Sequence, residues 1–110
     1  MRTCRLATLL FAIALAGAAS AGPAVATRWQ VAKIPQADCL RRAENAIQAL
    51  GFGNLERTDQ SRYGTRDDYT ASVRCVTSNA IVFFIVSGPD RQKADGLAGE
   101  LFQRYNADRK

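Results

Sequence analysis

The chain contains no histidine. That removes the usual general base near neutral pH, the imidazole metal ligand and the common nucleophile-activating triads. It has no C-x-x-C pair, which argues against thioredoxin-type exchange. No G-x-S-x-G, P-loop or dinucleotide fingerprint occurs. Gly51-Phe52-Gly53 is a lone G-x-G after a helical pattern, the wrong context for binding phosphate. These absences point away from an enzyme and from a bound cofactor.

The one long apolar run lies at the start. Arg2 and Arg5 precede Leu6–Ala19, and Ala19-Ser20-Ala21 fits a small-residue cleavage site. Residues 1–21 therefore read as a signal peptide that is cleaved. Ala24-Val25-Ala26 offers a second cut after Ala26. An uncleaved anchor from Leu6 to Ala26 would approach the roughly 20 residues a spanning helix needs. Gly17, Gly22 and Pro23 interrupt that run, so the processed chain is not expected to be an integral membrane protein.

Export sets the expectations for charge and sulfur. Fifteen Lys and Arg stand against ten Asp and Glu; loss of Arg2 and Arg5 leaves thirteen. A mild positive balance describes a soluble surface and permits weak attraction to anionic polymer or lipid. Cys4 leaves with the leader, so Cys39 and Cys75 remain with one possible pairing in an oxidising periplasmic or extracellular compartment. Their bridge closes a loop of 37 residues. The 89 residues left after Ala21 make one small domain, for which such a staple is a large share of the stability.

Local patterning supplies the elements. Residues 22–36 form an N-terminal arm, and Thr27–Ile34, with Trp29, reads as an edge strand or a packed segment. Ala37–Leu50 has Leu40, Ala43, Ile47 and Leu50 at helical spacing, with Pro35 in its first turn and Gly51 as a left-handed cap. Gly53–Asp68 is poorly patterned, with one short strand over Leu55–Ser61 and a turn over Gly64–Asp68. Tyr69–Thr77 alternates apolar and polar residues, with Cys75 on the apolar side. Thr77-Ser78-Asn79 turns into Ala80–Val86, which is apolar on both faces and central in a hairpin. Ser87–Asp90 leads, with Pro89 near the first turn, to a last helix striped by Ala94, Leu97, Ala98, Leu101, Phe102 and Tyr105. Gly96 and Gly99 in that helix imply close packing on the sheet.

The expected fold is α+β: a small two-layer sandwich, two helices on one face of a short antiparallel sheet, in helix–strands–helix order, with one disulfide. Residues 37–110 form the single domain. The two-faced strand implies that one of its rows, Ile81/Phe83/Ile85 or Val82/Phe84/Val86, lies away from the helices. That row is either covered by the arm or open to a partner, a second copy included. Phe83 and Phe84 are thus candidate contact residues. Arg62, Arg66 and Arg74, with Arg57, Tyr63 and Tyr69, are a candidate basic and aromatic patch. Export disfavours nucleic acid and leaves an unknown protein or an anionic envelope ligand as the partner. Asp59, Asp67 and Asp68 are candidate carboxylates, but turn chemistry accounts for Asp67-Asp68. The reading is a small non-enzymatic binding module of the envelope or secreted fraction. The alternative is an inhibitor or immunity-type partner of an exported enzyme, with its contact on a rigid loop over Asn54–Asp68.

Overall fold

The computed structural model describes residues 22–108. The expected signal peptide and Cys4 lie outside the described residues. The elements run β1 (Ala24–Val31), α1 (Gln36–Ala49), β2 (Gly53–Arg57), β3 (Ser61–Arg66), β4 (Tyr69–Val76), a 3₁₀ turn (Thr77–Asn79), β5 (Ile81–Gly88) and α2 (Arg91–Ala107). One five-stranded antiparallel sheet has the order β1-β5-β4-β3-β2. Both helices lie on one face, α2 over β1 and β5, α1 over β3 and β4. The α+β sandwich is the observed fold.

Three details differ from expectation. Of the two readings of the N-terminal segment, the edge strand is the observed one; it starts at Ala24, ahead of the expected Thr27, and the order therefore begins with β1. The segment expected to hold one short strand holds two, β2 and β3, joined by a turn at residues 58–60. Thr58 closes that turn: its hydroxyl accepts the Ser61 amide at 3.0 Å and its amide donates to the Ser61 carbonyl at 3.0 Å. Pro35 sits one position, and Pro89 two positions, ahead of the first helical residue. Pro35 is the residue before α1, and Pro89 precedes Asp90, whose carboxylate accepts the Gln92 amide and caps α2.

The end of α1 follows its sequence signal. Gly51 has φ 81°. Its amide donates to Gln48 at 3.0 Å, and the Phe52 amide donates to Ile47 at 3.2 Å. This is the Schellman arrangement, with Phe52 folded back and buried.

The core is the helix-facing side of the sheet. Ala71, Val73 and Cys75 of β4, and Val82, Phe84 and Val86 of β5, are completely buried against Ile47 of α1 and Ala94, Ala98 and Leu101 of α2. Each large side chain so placed contributes about 1.5–3 kcal/mol. Tyr105 stacks edge-on against Phe84, with centroids 5.1 Å apart. Two glycines permit this close approach. A Cβ at Gly64 would lie 2.6 Å from Ile47 and 2.9 Å from Phe52, and one at Gly88 would lie 2.1 Å from the Tyr69 ring. Gly96 and Gly99 do not serve the sheet, contrary to expectation. A Cβ at Gly96 would meet nothing within 4 Å, and one at Gly99 only the tip of Arg28 at 3.7 Å.

The disulfide joins the two layers. Cys39, one turn into α1, bonds Cys75 of β4 with Cα atoms 6.1 Å apart. The Tyr105 hydroxyl donates to the Cys39 sulfur at 3.2 Å, so both helices and the sheet meet there. Gln36 reinforces the junction: its amide donates to the Cys75 carbonyl at 2.8 Å, and its oxygen accepts the Thr77 hydroxyl at 2.6 Å.

Candidate interaction surface

Antiparallel pairing fixes which residues share the face turned away from the helices. One rung runs Trp29–Phe83–Arg74–Ser61 across β1, β5, β4 and β3. The next rungs are Thr27–Ile85–Ser72–Tyr63 and Val25–Ser87–Thr70–Thr65, and Val31–Ile81–Val76 closes the other end. Of the two rows left open by sequence, Ile81/Phe83/Ile85 is the outer one. Cys75 faces α1 and pairs with Val82, which commits Val82, Phe84 and Val86 to the core.

Among the described residues no element covers this face. Trp29 and Val31 extend it, because β1 lies beside β5 in the plane of the sheet. Val25, Trp29 and Val31 are 53%, 63% and 58% exposed, while Ile81, Phe83 and Ile85 are half-buried by their neighbours. The face has two halves. β1 and β5 are aromatic and aliphatic, and β4 and β3 carry hydroxyls around Arg74. An apolar patch of this kind marks a contact surface more often than a solvated one.

The candidate residues separate. Phe83 and Arg74 lie on the outer face. Phe84 does not: contrary to expectation it is 0% exposed, packed against Tyr105 and Phe102, and is a core residue and not a contact residue. The basic patch does not assemble. Arg62 faces α1, where its Nε lies 3.3 Å from Glu44 and its Nη1 donates to the Thr58 and Ser61 carbonyls. Arg66 donates to the Leu50 carbonyl at 2.6 Å and stacks over Phe52 at 5.6 Å, so it caps the end of α1. Arg57 also belongs to Glu44, at 2.5 Å. The hydrogen bond from Arg57, aided by both guanidinium charges against a modest burial cost, holds the Glu44 carboxyl below its ordinary value. Arg74 alone remains, and its Nη2 donates to the Gln60 side chain at 2.6 Å. Of the two tyrosines, Tyr63 is on the outer face. Tyr69 is buried beneath Gly88, accepts the Asp90 amide at 3.1 Å and carries Lys93 over its ring at 5.0 Å.

The carboxylates occupy turns. Asp67 has φ 53° in the two-residue turn between the paired Arg66 and Tyr69. Asp59 lies in the turn at the opposite end of β3, roughly 20 Å away along a six-residue strand. Glycoside chemistry needs carboxyls roughly 5–9 Å apart, so Asp59 does not pair with Asp67 or Asp68. Among the described residues no group of three or more His, Cys, Asp or Glu side chains is placed to hold a metal ion. The segment Asn54–Asp68, expected as a rigid contact loop, is the β2–β3 hairpin. Among the described residues no helix is long and apolar enough to cross a membrane.

No family model, curated protein or solved structure matches this chain. The geometry of the outer face therefore carries the functional reading alone. Sequence reading missed the contribution of β1 to that face. Its signal was present: Val25, Thr27, Trp29 and Val31 alternate through a segment whose first half also fits a cleavage site.

Proposed function

We propose that this chain is a non-enzymatic binding module, exported to the periplasm or secreted, and that the outer face of its sheet holds a protein partner. The observation that supports this is the uncovered rung Trp29–Phe83–Arg74, set in an apolar surface on a domain with a separate, complete core. A protein surface suits it better than an anionic envelope ligand. Three of the four arginines that would bind such a ligand are tied to partners in their own chain, Arg57 and Arg62 to Glu44 and Arg66 to the Leu50 carbonyl, and the fourth sits beside hydrophobic residues. A partner offering apolar side chains and one acceptor for Arg74 matches both halves of the face. The aromatic residues would supply most of the affinity, as buried aromatics and arginines do at protein interfaces.

The leader over residues 1–21 and the oxidised Cys39–Cys75 pair support the compartment. Affinity capture from the envelope fraction tests the reading, using the wild-type protein beside Phe83→Ser and Trp29→Ser. The expected result is a species retained by wild type and lost from both variants. Equal recovery from all three contradicts an outer-face site.

A further inference from the structure

The two edges of the sheet are built differently. β2 is short, its register with β3 shifts between Gly53 and Glu56, and Asn54 within it is left-handed at φ 50°. Short, irregular edges resist pairing with another chain. β1 has none of these features. It runs eight residues in unbroken register with β5, without proline, glycine or bulge. Its one charged residue, Arg28, is tied to Asp95 of its own chain at 3.0 Å.

The backbone of β1 is also aimed outward. Directly after the strand, the Ala32 amide donates to the Ala80 carbonyl at 2.9 Å. Alternation from that bond turns the even-numbered residues toward β5 and leaves the peptide groups of Val25, Thr27, Trp29 and Val31 at the open edge. The same strand carries all three exposed large hydrophobic residues among those described, Val25, Trp29 and Val31.

A second anomaly lies alongside. α2 follows β1, as Arg28–Asp95 and the reciprocal Gln30–Asn106 hydrogen bonds at 2.8 and 2.9 Å show. Gly99 lies on this flank, where a Cβ would meet only the tip of Arg28 at 3.7 Å. It costs about 1 kcal/mol relative to alanine in a helix interior.

We propose that β1 pairs antiparallel with β1 of a second copy about a two-fold axis at Thr27, which joins two sheets into one of ten strands. This register sets Thr27 against Thr27 and Val25 against Trp29 on the outer face. Shifting the axis to Arg28 would oppose two arginines, and shifting it to Trp29 would shorten the ladder. The contact between α2 and both β1 and β5 places its axis about half a strand spacing inside β1. The two α2 axes then lie roughly 10 Å apart, the distance at which helices pack, with Gly99 at the seam. An extended peptide would satisfy the strand edge alone. A second copy supplies strand and helix together. Seven paired residues by one sheet and helix layer give roughly 500 Å² per protomer, about 1,000 Å² in all, where specific but weak association begins.

The inference does not depend on what binds the outer face. Sedimentation equilibrium on the protein as it accumulates from the full gene tests it, with circular dichroism to monitor folding. Wild type is expected to dimerise with a dissociation constant on the order of micromolar. Thr27→Pro removes an outward amide and no bond to β5, and weakens the dimer about tenfold or more. Gly99→Gln favours the helix yet fills the seam, so it weakens the dimer by a similar factor while the monomer melts no lower; it decides the matter if Thr27→Pro fails to fold. Phe83→Ser, one strand away from the edge, leaves the dimer intact. A wild-type protein that stays monomeric into the millimolar range, or a dimer indifferent to Gly99→Gln, overturns the proposal.

Discussion

Phe83 and Phe84 are neighbours in the chain and lie on opposite faces of the sheet. Phe84 is enclosed by Phe102, Tyr105 and Val73, whereas Phe83 lies between Trp29 and Arg74 on the uncovered side. The same residue type one peptide apart therefore has two roles, core and contact surface. Phe84→Ala should cost about 3–5 kcal/mol, as for other buried phenylalanines, and Phe83→Ser less than about 1 kcal/mol. Urea unfolding of both variants checks this. Similar losses in the two would mean that the outer row belongs to the core.

The glycines divide in the same way. Gly64→Ala pushes a Cβ to within 2.6 Å of Ile47, and Gly88→Ala forces one into the Tyr69 ring. Each should destabilise by roughly 1–3 kcal/mol, the usual cost of overpacking. Gly96→Ala meets open space and should stabilise the monomer by about 0.5–1 kcal/mol. Thermal melts of the three variants at low protein concentration separate these outcomes, with opposite signs expected at positions 88 and 96.

Glu44 predicts a pH dependence. Its carboxyl titrates below the ordinary 4.5 because Arg57 and Arg62 hold it ionised in the folded state. A depressed folded value adds stability that is fully present above the unfolded value and disappears as pH falls through the folded one. Urea midpoints from pH 6 to pH 3 should therefore drop more steeply for wild type than for Glu44→Gln. The difference should shrink in high salt, because the pair is partly exposed. Parallel curves would remove the ion pair from the account.

Reduction of Cys39–Cys75 should cost up to about 3.8 kcal/mol, the chain-entropy value for a 37-residue loop. Cys39→Ser with Cys75→Ser should lower stability by a comparable amount, read as the shift in urea midpoint. The buried Tyr105 hydroxyl, pushed up in pKa by burial and partly offset by Arg42, loses its sulfur acceptor in that variant.

Cleavage after Ala21 is expected over cleavage after Ala26, because the later cut removes Ala24–Ala26 from β1 and exposes the surface beneath α2. The N-terminal residue of the protein recovered from the cell should be Gly22. A chain starting at Thr27 would have lost three residues of β1.

What was legible in the sequence was what local chemistry decides. Gly51-Phe52 after an amphipathic run specifies how α1 ends, and Cys75 on the apolar row of β4 specifies which face meets α1. The β2–β3 hairpin was obscured because its helix-facing positions hold Arg57 and Arg62, which are inward through Glu44 and not through hydrophobicity. Nor does alternation distinguish the two rows of β5, since both are apolar. Their assignment depends on the pairing of Cys75 with Val82 across the turn at Thr77–Asn79, where Ala80 adopts φ 54°. The role of Arg66 was hidden similarly: its partner is a backbone carbonyl at the end of a helix, which no residue pattern announces.

The outer face as a contact surface is tested most directly by photo-crosslinking in living cells, with a photoreactive phenylalanine analogue placed at Phe83 and, as a control, at the exposed helical position Gln103. The account predicts a discrete adduct to a second protein from position 83 and none from position 103. Position 83 giving no adduct, or the same adducts as position 103, would contradict it.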